Sequence, residues 1–323
     1  MKYGVDHLSV QFQVEKLRCL LATMQVRPCL CEGAGVLKSR PNDGVYARDD
    51  IIPHGCHAKI EAELMGISER MGDVLGQVVE SKLLREIQEH PIKVKHLAII
   101  MDGNRRFAWK SNIATGIGHR IGKEKLERVL DWTLEIGIPW LTVYALSTEN
   151  LKRPKKELDT LFKLYDEGLR DIADDKRIHE HKVKVQIIGQ RELLPKHVND
   201  AIDYAEQKTA HYDKFVFTVC LAYGSREEMI DAIRSIAEEH ASGELKLEDI
   251  DEKAVSKRLY TGDMPDPDLV IRTSGEERIS NFLLWQMAYS ELYFSDVFWP
   301  SFQKKDLLKA IRTFQHRRRR FGE

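Results

Sequence analysis

The sequence of 323 residues lacks a long hydrophobic run and an excess of either charge. Its 50 basic and 51 acidic residues leave a formal net charge of −1. Proteins that bind nucleic acid usually carry an excess of basic residues. No stretch reaches the roughly 18 apolar residues of a membrane span. Residues 1–28 lack the apolar centre of a signal peptide, because Glu15, Lys16 and Arg18 interrupt it. We therefore expect a cytoplasmic protein that binds no nucleic acid.

Cysteine is scarce and unevenly placed, since four of the five cysteines lie within the first 56 residues. Cys29-Leu30-Cys31 and His54-Gly55-Cys56-His57 offer zinc ligands, although Cys-x-Cys replaces the usual Cys-x₂-Cys spacing. Two interpretations stay open for these residues, a metal site or reduced thiols that are structural or unimportant. Cys220 stands in a strand-like run and is expected to be a small core residue.

The chain divides into three parts. Residues 1–57 show no sustained hydrophobic period and contain Gly/Pro/Asp-rich segments, which predicts a poorly structured N-terminal extension. Residues 58–91 place apolar side chains near helical spacing, so we predict an amphipathic helical arm that packs on the domain. A helix that binds a partner or a membrane surface is the alternative for this arm. Residues 92–323 alternate strand-like and helical segments and form the predicted main domain.

The alternation in the main domain predicts its fold class. Strand-like runs cover residues 96–101, 140–146, 183–188, 215–222, 268–272 and 291–294. The segments between them have the 3.6-residue period of helices, and one helix is predicted to begin with the capping-box pattern Ser225-Arg-Glu-Glu228. Such a chain is expected to form an α/β fold, with a mainly parallel central sheet flanked by helices on both faces. Ligands of these sheets bind at the carboxyl ends of the strands.

The first predicted strand runs directly into Asp102-Gly103-Asn104-Arg105-Arg106. A buried strand would hold Asp102 rigidly at the sheet edge, and Gly103 would let backbone N–H groups approach an anion closely. Asn104 and the two arginines add neutral and cationic donors at a predicted helix start. This order of residues suits the binding of a diphosphate, although each residue alone is compatible with an ordinary turn.

Four further motifs follow in order along the chain. They are Gly118-His119-Arg120-Ile121-Gly122, Tyr144 to Asn150 with Arg153-Pro154, Arg272 to Gln286, and Glu291-Leu-Tyr-Phe294, and the chain closes with Arg319-Arg-Phe-Gly322. With these motifs, residues 92–322 closely resemble the cis-prenyltransferase family, the undecaprenyl and dehydrodolichyl diphosphate synthases. The forms Asn-Arg-Arg and Leu-Ser-Thr-Glu-Asn are closer to its archaeal and eukaryotic-type members.

The resemblance implies a reaction. Isopentenyl diphosphate would condense repeatedly with an allylic primer, geranylgeranyl or farnesyl diphosphate, and form Z double bonds. The product would be a long-chain polyprenyl diphosphate, a precursor of glycosyl carrier lipids. Residues 92–323 would then be a cis-prenyltransferase catalytic domain, and contact with a membrane at its periphery is compatible with a lipid product.

The resemblance also implies roles for individual residues. Asp102 would be the principal ligand of a Mg²⁺ ion and Glu291 a second carboxylate near it, since a departing diphosphate needs a hard cation. Asp102 and Asn104 are the candidate catalytic residues, with Asn104 orienting the substrate while diphosphate accepts the proton. The candidate substrate-binding residues are Gly103, Arg105, Arg106, Phe107, His119, Ser147, Thr148, Glu149, Asn150, Arg153, Arg272, Arg278 and Ser280.

The two diphosphates are implied to bind different parts of this set. The allylic diphosphate would lie on the turn 103–106 beside His119, and isopentenyl diphosphate would bind Arg272, Arg278 and Ser280. Arginine suits both places, because its planar guanidinium group matches phosphate oxygens in a bidentate manner. Glu149 is expected to orient arginine side chains.

A polyprenyl tail needs an apolar tunnel, because each buried CH₂ group contributes about 0.8 kcal/mol. Each candidate for the tunnel wall, taken alone, is better explained as ordinary core. The candidates are Leu126, Val129, Leu130, Val143, Ala145, Leu161, Phe162, Tyr165 and Leu169.

The C-terminal motif Arg320-Phe-Gly322 resembles a tail that reaches the diphosphate site of the partner subunit. Together with the first loop it implies a self-sufficient homodimer, with Trp285, Phe294 and Trp299 at the dimer face. The alternative function is a noncatalytic partner subunit of a two-component cis-prenyltransferase. Such subunits lack the first-loop acid and arginines, which this chain retains.

Overall fold

Six short apolar strands form one parallel sheet. The computed structural model describes residues 76–317, and its strands are β1 His96–Ile100, β2 Trp140–Tyr144, β3 Val183–Ile188, β4 Phe215–Cys220, β5 Leu269–Arg272 and β6 Glu291–Phe294. Their order across the sheet is β3-β4-β2-β1-β5-β6, and every neighbouring pair is parallel. The predicted α/β fold with a mainly parallel sheet is confirmed, and the sheet is parallel throughout.

No helix lies between β5 and β6 in the described residues, but helices form the crossovers of the parallel sheet from β1 to β5 and flank it. They are α1 over residues 76–89, α2 Asn104–Lys110, α3 Thr115–Ile136, α4 Lys155–Asp174, α5 Lys176–His181, α6 Lys196–Thr209, α7 Ser225–Ser242, α8 Glu252–Ser256 and α9 Lys304–His316. Short 3₁₀ segments lie at Glu149–Lys152, Arg191–Leu193, Leu247–Asp249 and Trp299–Ser301. Within residues 76–317, no helix combines the length and the apolarity that a membrane span requires.

The two faces of the sheet are covered differently. Alternate residues of a strand point to opposite faces, and Leu97 and Ile99 of β1 join a large core with apolar residues of α3, α4, α6 and α9. Ala98 and Ile100 point to the other face, where they form a second cluster with the irregular segment 279–287. The helical cover predicted for both faces is therefore replaced at this cluster by a chain segment without regular structure.

Helix α1 contacts the main domain near its C-terminal end. Ile87 is buried in the large core, and its carbonyl oxygen accepts a hydrogen bond from Gln315 Nε2 of α9 at 3.1 Å. Gln88 Nε2 donates to the carbonyl oxygen of Glu135 at the end of α3, at 2.9 Å. These contacts hold the described part of the predicted arm against α3 and α9.

Several predictions concern residues outside the described range. The extension 1–57 with its candidate zinc ligands, the first part of the predicted arm and the motif Arg320-Phe-Gly322 all lie there. The three-part division of the chain therefore stays a prediction. Cys220, in contrast, is buried in β4 as predicted, and burial raises the pKa of its thiol.

The predicted capping box at the start of α7 is wrong. Ser225 is the first residue of the helix, and Gly224 is the N-cap. The Ser225 hydroxyl oxygen accepts a hydrogen bond from the Leu284 N–H group at 2.9 Å, and the Glu228 carboxylate accepts one from the Tyr223 hydroxyl at 2.5 Å. Tertiary partners thus use both side chains that the local motif would need.

Candidate active site

The polar residues that follow β1, β2 and β5 meet at one edge of the sheet. Strand β1 pairs with β2 on one side and with β5 on the other, so the carboxyl ends of all three adjoin. The chain proceeds from β1 in one direction across the sheet and returns to its other side at β5, and open α/β sheets bind ligands at such a switch point. A cavity of about 1100 Å³ opens here, with Asp102, Ser147 and Arg272 in its wall.

Asp102 follows β1 and is held between two arginines. Its Oδ2 atom accepts a hydrogen bond from Arg272 Nη2 at 2.7 Å and lies 3.3 Å from Arg106 Nη2. The Thr273 hydroxyl lies 3.0 Å from the Asp102 N atom and 2.7 Å from its carbonyl oxygen, which fixes the backbone. Burial alone would raise the pKa of the Asp102 carboxyl, but the hydrogen bond and charge of Arg272 and the charge of Arg106 lower it overall. Asp102 is therefore an ionised carboxylate at neutral pH.

A glycine leads the chain from β1 into α2. Gly103 has a φ of 109°, and a Cβ atom there would lie 3.0 Å from Phe298 Cδ1 and 3.0 Å from Ser274 Cβ. Any other residue would be both strained and crowded at this position. The turn begins α2 at Asn104, so that the predicted residues 104–106 line the cavity together.

Two glycines of α3 allow α2 to lie close against it. A Cβ atom at Gly118 would lie 2.7 Å from the Asn104 carbonyl oxygen, and one at Gly122 would lie 2.3 Å from Asn104 Oδ1. Asn104 Oδ1 is buried and has no hydrogen-bond partner among the described residues. The glycines on either side of His119 in the second motif thus determine where the Asn104 side chain lies.

Glu157 of α4 gathers three cationic or basic side chains. Its Oε1 atom lies 3.3 Å from His119 Nε2, 3.3 Å from Arg153 Nη1 and 3.8 Å from Arg105 Nε. The sequence analysis missed Glu157 and expected Glu149 to orient arginines. A signal was available, since Glu157 stands four residues after Arg153, at the spacing of a helical ion pair.

His119 is buried beside this carboxylate. Burial lowers the pKa of the His119 imidazole below 6.5, the hydrogen bond with Glu157 opposes that shift, and the charge of Arg153 adds to it. The net direction is downward, so His119 is neutral at pH 7 in the free protein. A neutral imidazole can still donate one hydrogen bond and gain a proton when an anion binds nearby.

Glu276 accepts hydrogen bonds from two further arginines that line the cavity. Arg106 Nη1 donates to Glu276 Oε1 at 2.6 Å, and Arg278 Nη1 donates to the other carboxylate oxygen. Arg106 also donates to the Ser274 hydroxyl at 2.5 Å. Glu276 lies in an irregular segment and has no spacing signal, which is why the sequence analysis did not single it out.

Arg272 extends from the end of β5 into the same region. Its side chain is 5% exposed, and its Nη1 atom donates to the carbonyl oxygen of Arg278 and to the Ser280 hydroxyl, the latter at 2.8 Å. Arg272 Nε has no hydrogen-bond partner among the described residues. Ser280 has a φ of 49°, a left-handed conformation that its surroundings must stabilise. Arg272, Arg278 and Ser280 are thus brought together as predicted.

The segment after β2 contributes the remaining predicted residues. Ser147 Oγ accepts hydrogen bonds from Asn150 Nδ2 at 2.8 Å and from the Asn150 N–H group at 3.2 Å, and both residues line the cavity with Glu149. Thr148 and Phe107 are not part of the cavity wall. Trp109 lines the cavity although its side chain is 84% exposed, and nothing in the sequence analysis pointed to it.

Part of the cavity wall is apolar. From the predicted tunnel wall, the cavity is lined by Leu126, Ala145, Leu161, Tyr165 and Leu169. The further apolar residues in this part of the wall are Leu146, Leu164, Ile172, Val219 and Leu221. Val129 and Val143 belong to the closed core instead, and Leu130 and Phe162 do not line this cavity.

The structure does not bring Glu291 to Asp102. Glu291 is the first residue of β6 and pairs with Leu269, the first residue of β5, whereas Asp102 follows the carboxyl end of β1. Because all strands are parallel, these positions lie at opposite edges of the sheet. The Glu291 carboxylate accepts a hydrogen bond from Arg317. One chain therefore does not place both carboxylates around one metal ion.

Trp299 lies inside the subunit and not at a dimer face. Its side chain is 1% exposed, and its Nε1 atom donates to the Gly122 carbonyl oxygen at 2.8 Å. Trp299 thus packs against Gly122, where α2 and α3 lie close together. Trp285 and Phe294, the other two residues predicted at a dimer face, are half-buried.

The side chains around Asp102 fit a Mg²⁺ ion. Within the described range, no three His, Cys, Asp or Glu side chains form a preformed metal cluster. Mg²⁺ does not need such a cluster, because it commonly binds one or two carboxylates, keeps several waters and takes further oxygens from substrate phosphates. The ionised Asp102 carboxylate in a cavity wall rich in arginine side chains fits that pattern.

These features define a class of protein. It is an α/β protein whose cavity joins an ionised carboxylate and five arginines at the sheet edge to an apolar interior, an arrangement that matches an amphiphilic anion. The family profile described as "Putative undecaprenyl diphosphate synthase" matches residues 100–322. The chain belongs to this family of prenyltransferases.

Individual proteins of known name agree with this assignment. The tritrans,polycis-undecaprenyl-diphosphate synthase (geranylgeranyl-diphosphate specific) of Pyrococcus horikoshii is 55% identical over 228 residues, which are 71% of this chain and 86% of that protein. A protein of the same name from Thermoplasma volcanium is 46% identical over 258 residues, 80% of this chain and 100% of the relative. The crystal structure of lavandulyl diphosphate synthase from Lavandula x intermedia in complex with dimethylallyl diphosphate has a TM-score of 0.68 and 35% identity, covering 71% of this chain and 98% of the other.

Proposed function

We propose that the chain is a Z-type polyprenyl diphosphate synthase that adds isopentenyl diphosphate repeatedly to an allylic primer, geranylgeranyl diphosphate. One observation carries the proposal: Asp102, five arginines and a group of aliphatic side chains line a single cavity. Both substrates have this division into a charged head and an apolar tail. The names of relatives that are 46% and 55% identical support geranylgeranyl diphosphate over farnesyl diphosphate as the primer.

The proposal includes Mg²⁺, with Asp102 as its protein ligand. The ion would neutralise charge on the departing diphosphate when the allylic C–O bond breaks. Arg106 and Arg272 keep the Asp102 carboxylate ionised and in place for this role. Glu291 does not take part within one chain, since it lies at the opposite edge of the sheet.

The allylic diphosphate is proposed to bind on the turn 103–106, with His119 and Arg153 beside it. Breaking the C–O bond leaves the electron pair on the diphosphate, and guanidinium groups fixed in advance stabilise that charge without reorganisation. Glu157 and Glu276 hold these guanidinium groups around the cavity before a ligand binds. The bound diphosphate would replace part of these ion pairs.

Isopentenyl diphosphate is proposed to bind Arg272, Arg278 and Ser280, next to Asp102. Its double bond would attack the allylic carbon, a new C–C bond would form, and a proton would leave to restore a double bond. Asn104 is a poor base because it is an amide, so it is proposed to orient the substrate while diphosphate accepts the proton. The elongated tail would occupy the apolar part of the cavity.

The assembly and location of the protein are also part of the proposal. The Arg320-Phe-Gly322 motif and the first loop on the same chain support a homodimer of catalytic subunits. The enzyme is proposed to be cytoplasmic. Its lipid product supports contact with the membrane at its periphery. Light scattering of the purified full chain tests the dimer, and a monomer at micromolar concentration would contradict it.

One incubation tests the proposed reaction. The purified full chain is mixed with labelled isopentenyl diphosphate, Mg²⁺ and either geranylgeranyl or farnesyl diphosphate, and the products are dephosphorylated and sized by chromatography and mass spectrometry. We expect Z-polyprenyl products and a higher kcat/KM with geranylgeranyl diphosphate. No product with either primer would favour the noncatalytic partner subunit instead.

A further inference from the structure

Two cavities lie next to each other along α3 and α4. The second has a volume of about 360 Å³, and Lys123, Glu127 and Ile172 line both cavities. On α3 the wall of the second cavity continues from Lys123 to Leu134. With a rise of 1.5 Å per residue, it extends the path along this helix by about 16 Å.

Lys123 crosses the gap between the two helices. Its Nζ atom lies 2.6 Å from Asp171 Oδ2 of α4 and 3.4 Å from Glu127 Oε1 of its own helix. Gly168 leaves room for the side chain, since a Cβ atom there would lie 3.1 Å from Lys123 Cε. Burial would lower the pKa of the Lys123 ammonium group, but Asp171 and Glu127 raise it overall. The bridge between α3 and α4 is thus present at neutral pH.

The bridge stands between apolar side chains of the two cavities, and charged residues such as Glu124, Asp131 and Arg177 also line the second cavity. Leu126, Leu169 and Ile172 line the first cavity beside it. Leu130, Leu134 and Ile178 line the second cavity beyond it. A hydrocarbon tail that advanced from one surface to the other would have to displace Lys123 and separate its charge from Asp171, with no polar group of its own to replace either partner.

We propose that the Lys123–Asp171 bridge closes a lateral opening between α3 and α4 and thereby limits the length of the tail that the enzyme makes. The inference rests on the proposed function, because it needs a growing polyprenyl tail in the first cavity. Once the bridge is removed, the two cavities join and the tail continues along Leu130, Leu134 and Ile178. Lys123 is then a residue that determines product length without contact to either diphosphate.

Product length after substitution of Lys123 tests the proposal. The full-length Lys123→Ala enzyme is expected to shift its main product upward by at least one five-carbon unit relative to the wild type. Lys123→Met keeps the length of the side chain without its charge, and it is expected to shift the product in the same direction. Lys163→Ala is the matched control, because Lys163 lies on α4 with a side chain that is 74% exposed and lines neither cavity.

The outcomes separate this inference from the proposed function. An unchanged or shorter product from an active Lys123→Ala enzyme overturns the inference and leaves the function intact, whereas a wild-type enzyme without product overturns the function. A longer product from Lys123→Ala but not from Lys123→Met would show that side-chain volume, and not the ion pair, closes the opening. If the Lys123 variants fail to fold, Asp171→Asn, at a side chain that is 61% exposed, is expected to give the same upward shift, and an unchanged product would contradict it.

Discussion

Asp102 and Arg272 are separated by 170 positions in the sequence, yet their side chains form an ion pair with an Oδ2–Nη2 distance of 2.7 Å. The register of the sheet causes this contact, because Ile100 of β1 pairs with Arg272 of β5 and Asp102 follows two residues later. The pair lies where the proposed binding sites of the two diphosphates meet. The ionised Asp102 carboxylate therefore lies next to both of the proposed diphosphate sites.

The close approach of α2 and α3 predicts that Gly122→Ala lowers both the activity and the stability of the enzyme. The new Cβ atom would lie 2.3 Å from Asn104 Oδ1 and 3.2 Å from Trp299 Cδ1, so the Asn104 side chain has to move. We expect a decrease in kcat of at least tenfold with an overpacking cost of about 1–3 kcal/mol. Steady-state kinetics and urea unfolding measure the two effects.

Gly116→Ala is the matched control for this substitution, since it lies on the same helix. A Cβ atom at Gly116 would meet Thr160 Cγ2 at 3.4 Å, which is an ordinary contact. This variant is expected to keep its activity and to change stability by less than about 0.5–1 kcal/mol, the gain of alanine over glycine in the middle of a helix, because Gly116 lies in the first turn. Equal kinetics of the Gly122→Ala and Gly116→Ala enzymes would contradict the positioning of Asn104 by α3.

His119 is predicted to take up a proton when an allylic diphosphate binds. Burial lowers the pKa of the free imidazole below 6.5, with Glu157 opposing and Arg153 adding to the shift. A bound diphosphate brings negative charge, which raises the pKa of the histidine. Binding then takes up protons, and the affinity for the primer rises as the pH falls from about 7.5 toward 6.

Calorimetry in two buffers of different ionisation enthalpy counts these protons. At pH 6.5 the wild type is expected to take up a fraction of a proton more than the His119→Asn variant. The variant also controls for titration of the diphosphate itself, which both proteins bind. Identical proton uptake by the two proteins would show that His119 does not face the bound diphosphate.

Glu228 is predicted to be a major contributor to stability. Its side chain is buried with 0% exposure, and its carboxylate accepts hydrogen bonds from the Tyr223 hydroxyl, Gln286 Nε2 and the Tyr260 N–H group. Glu228→Ala would leave the Tyr223 hydroxyl and the Tyr260 N–H group without this acceptor, and Gln286 Nε2 would keep only its hydrogen bond to Thr261. We expect a loss of about 3 kcal/mol or more in the free energy of unfolding.

Denaturant unfolding of two variants of α7 tests this contribution. Glu238 is exposed on the same helix, so Glu238→Ala is expected to change the free energy of unfolding by no more than about 0.5 kcal/mol. Similar losses in the two variants would contradict the role of Glu228. The comparison is made at one pH, because the Glu228 carboxyl is itself titratable.

Strand β1 could be predicted from the sequence because it is buried on both faces. All five residues of β1 are buried, and from Leu97 onward the sequence is an uninterrupted apolar run that ends at a polar turn. The sequence contains no comparable pattern for the register between strands. That register determines which polar residues lie next to each other. The resemblance assigned Glu291 to the metal without that register, and the parallel pairing with Leu269 places it at the opposite edge.

The carboxylates that hold the arginines were the least predictable part of the site. Glu157 and Glu276 resemble ordinary surface acids in a chain in which 31% of the residues are charged. Their role follows from tertiary distances, 3.3 Å from Glu157 to Arg153 and 2.6 Å from Glu276 to Arg106. The arginines themselves could be predicted, because they stand in motifs at the carboxyl ends of strands.

The turnover of Asp102→Asn tests the central claim most directly, since the amide keeps the shape of the side chain and removes its charge. If Asp102 holds the divalent ion at the departing diphosphate, kcat with saturating substrates and Mg²⁺ falls by at least about 100-fold, the scale of a lost electrostatic contact in a transition state. Circular dichroism at the assay temperature has to show a folded protein. A folded variant that keeps wild-type turnover would contradict the account.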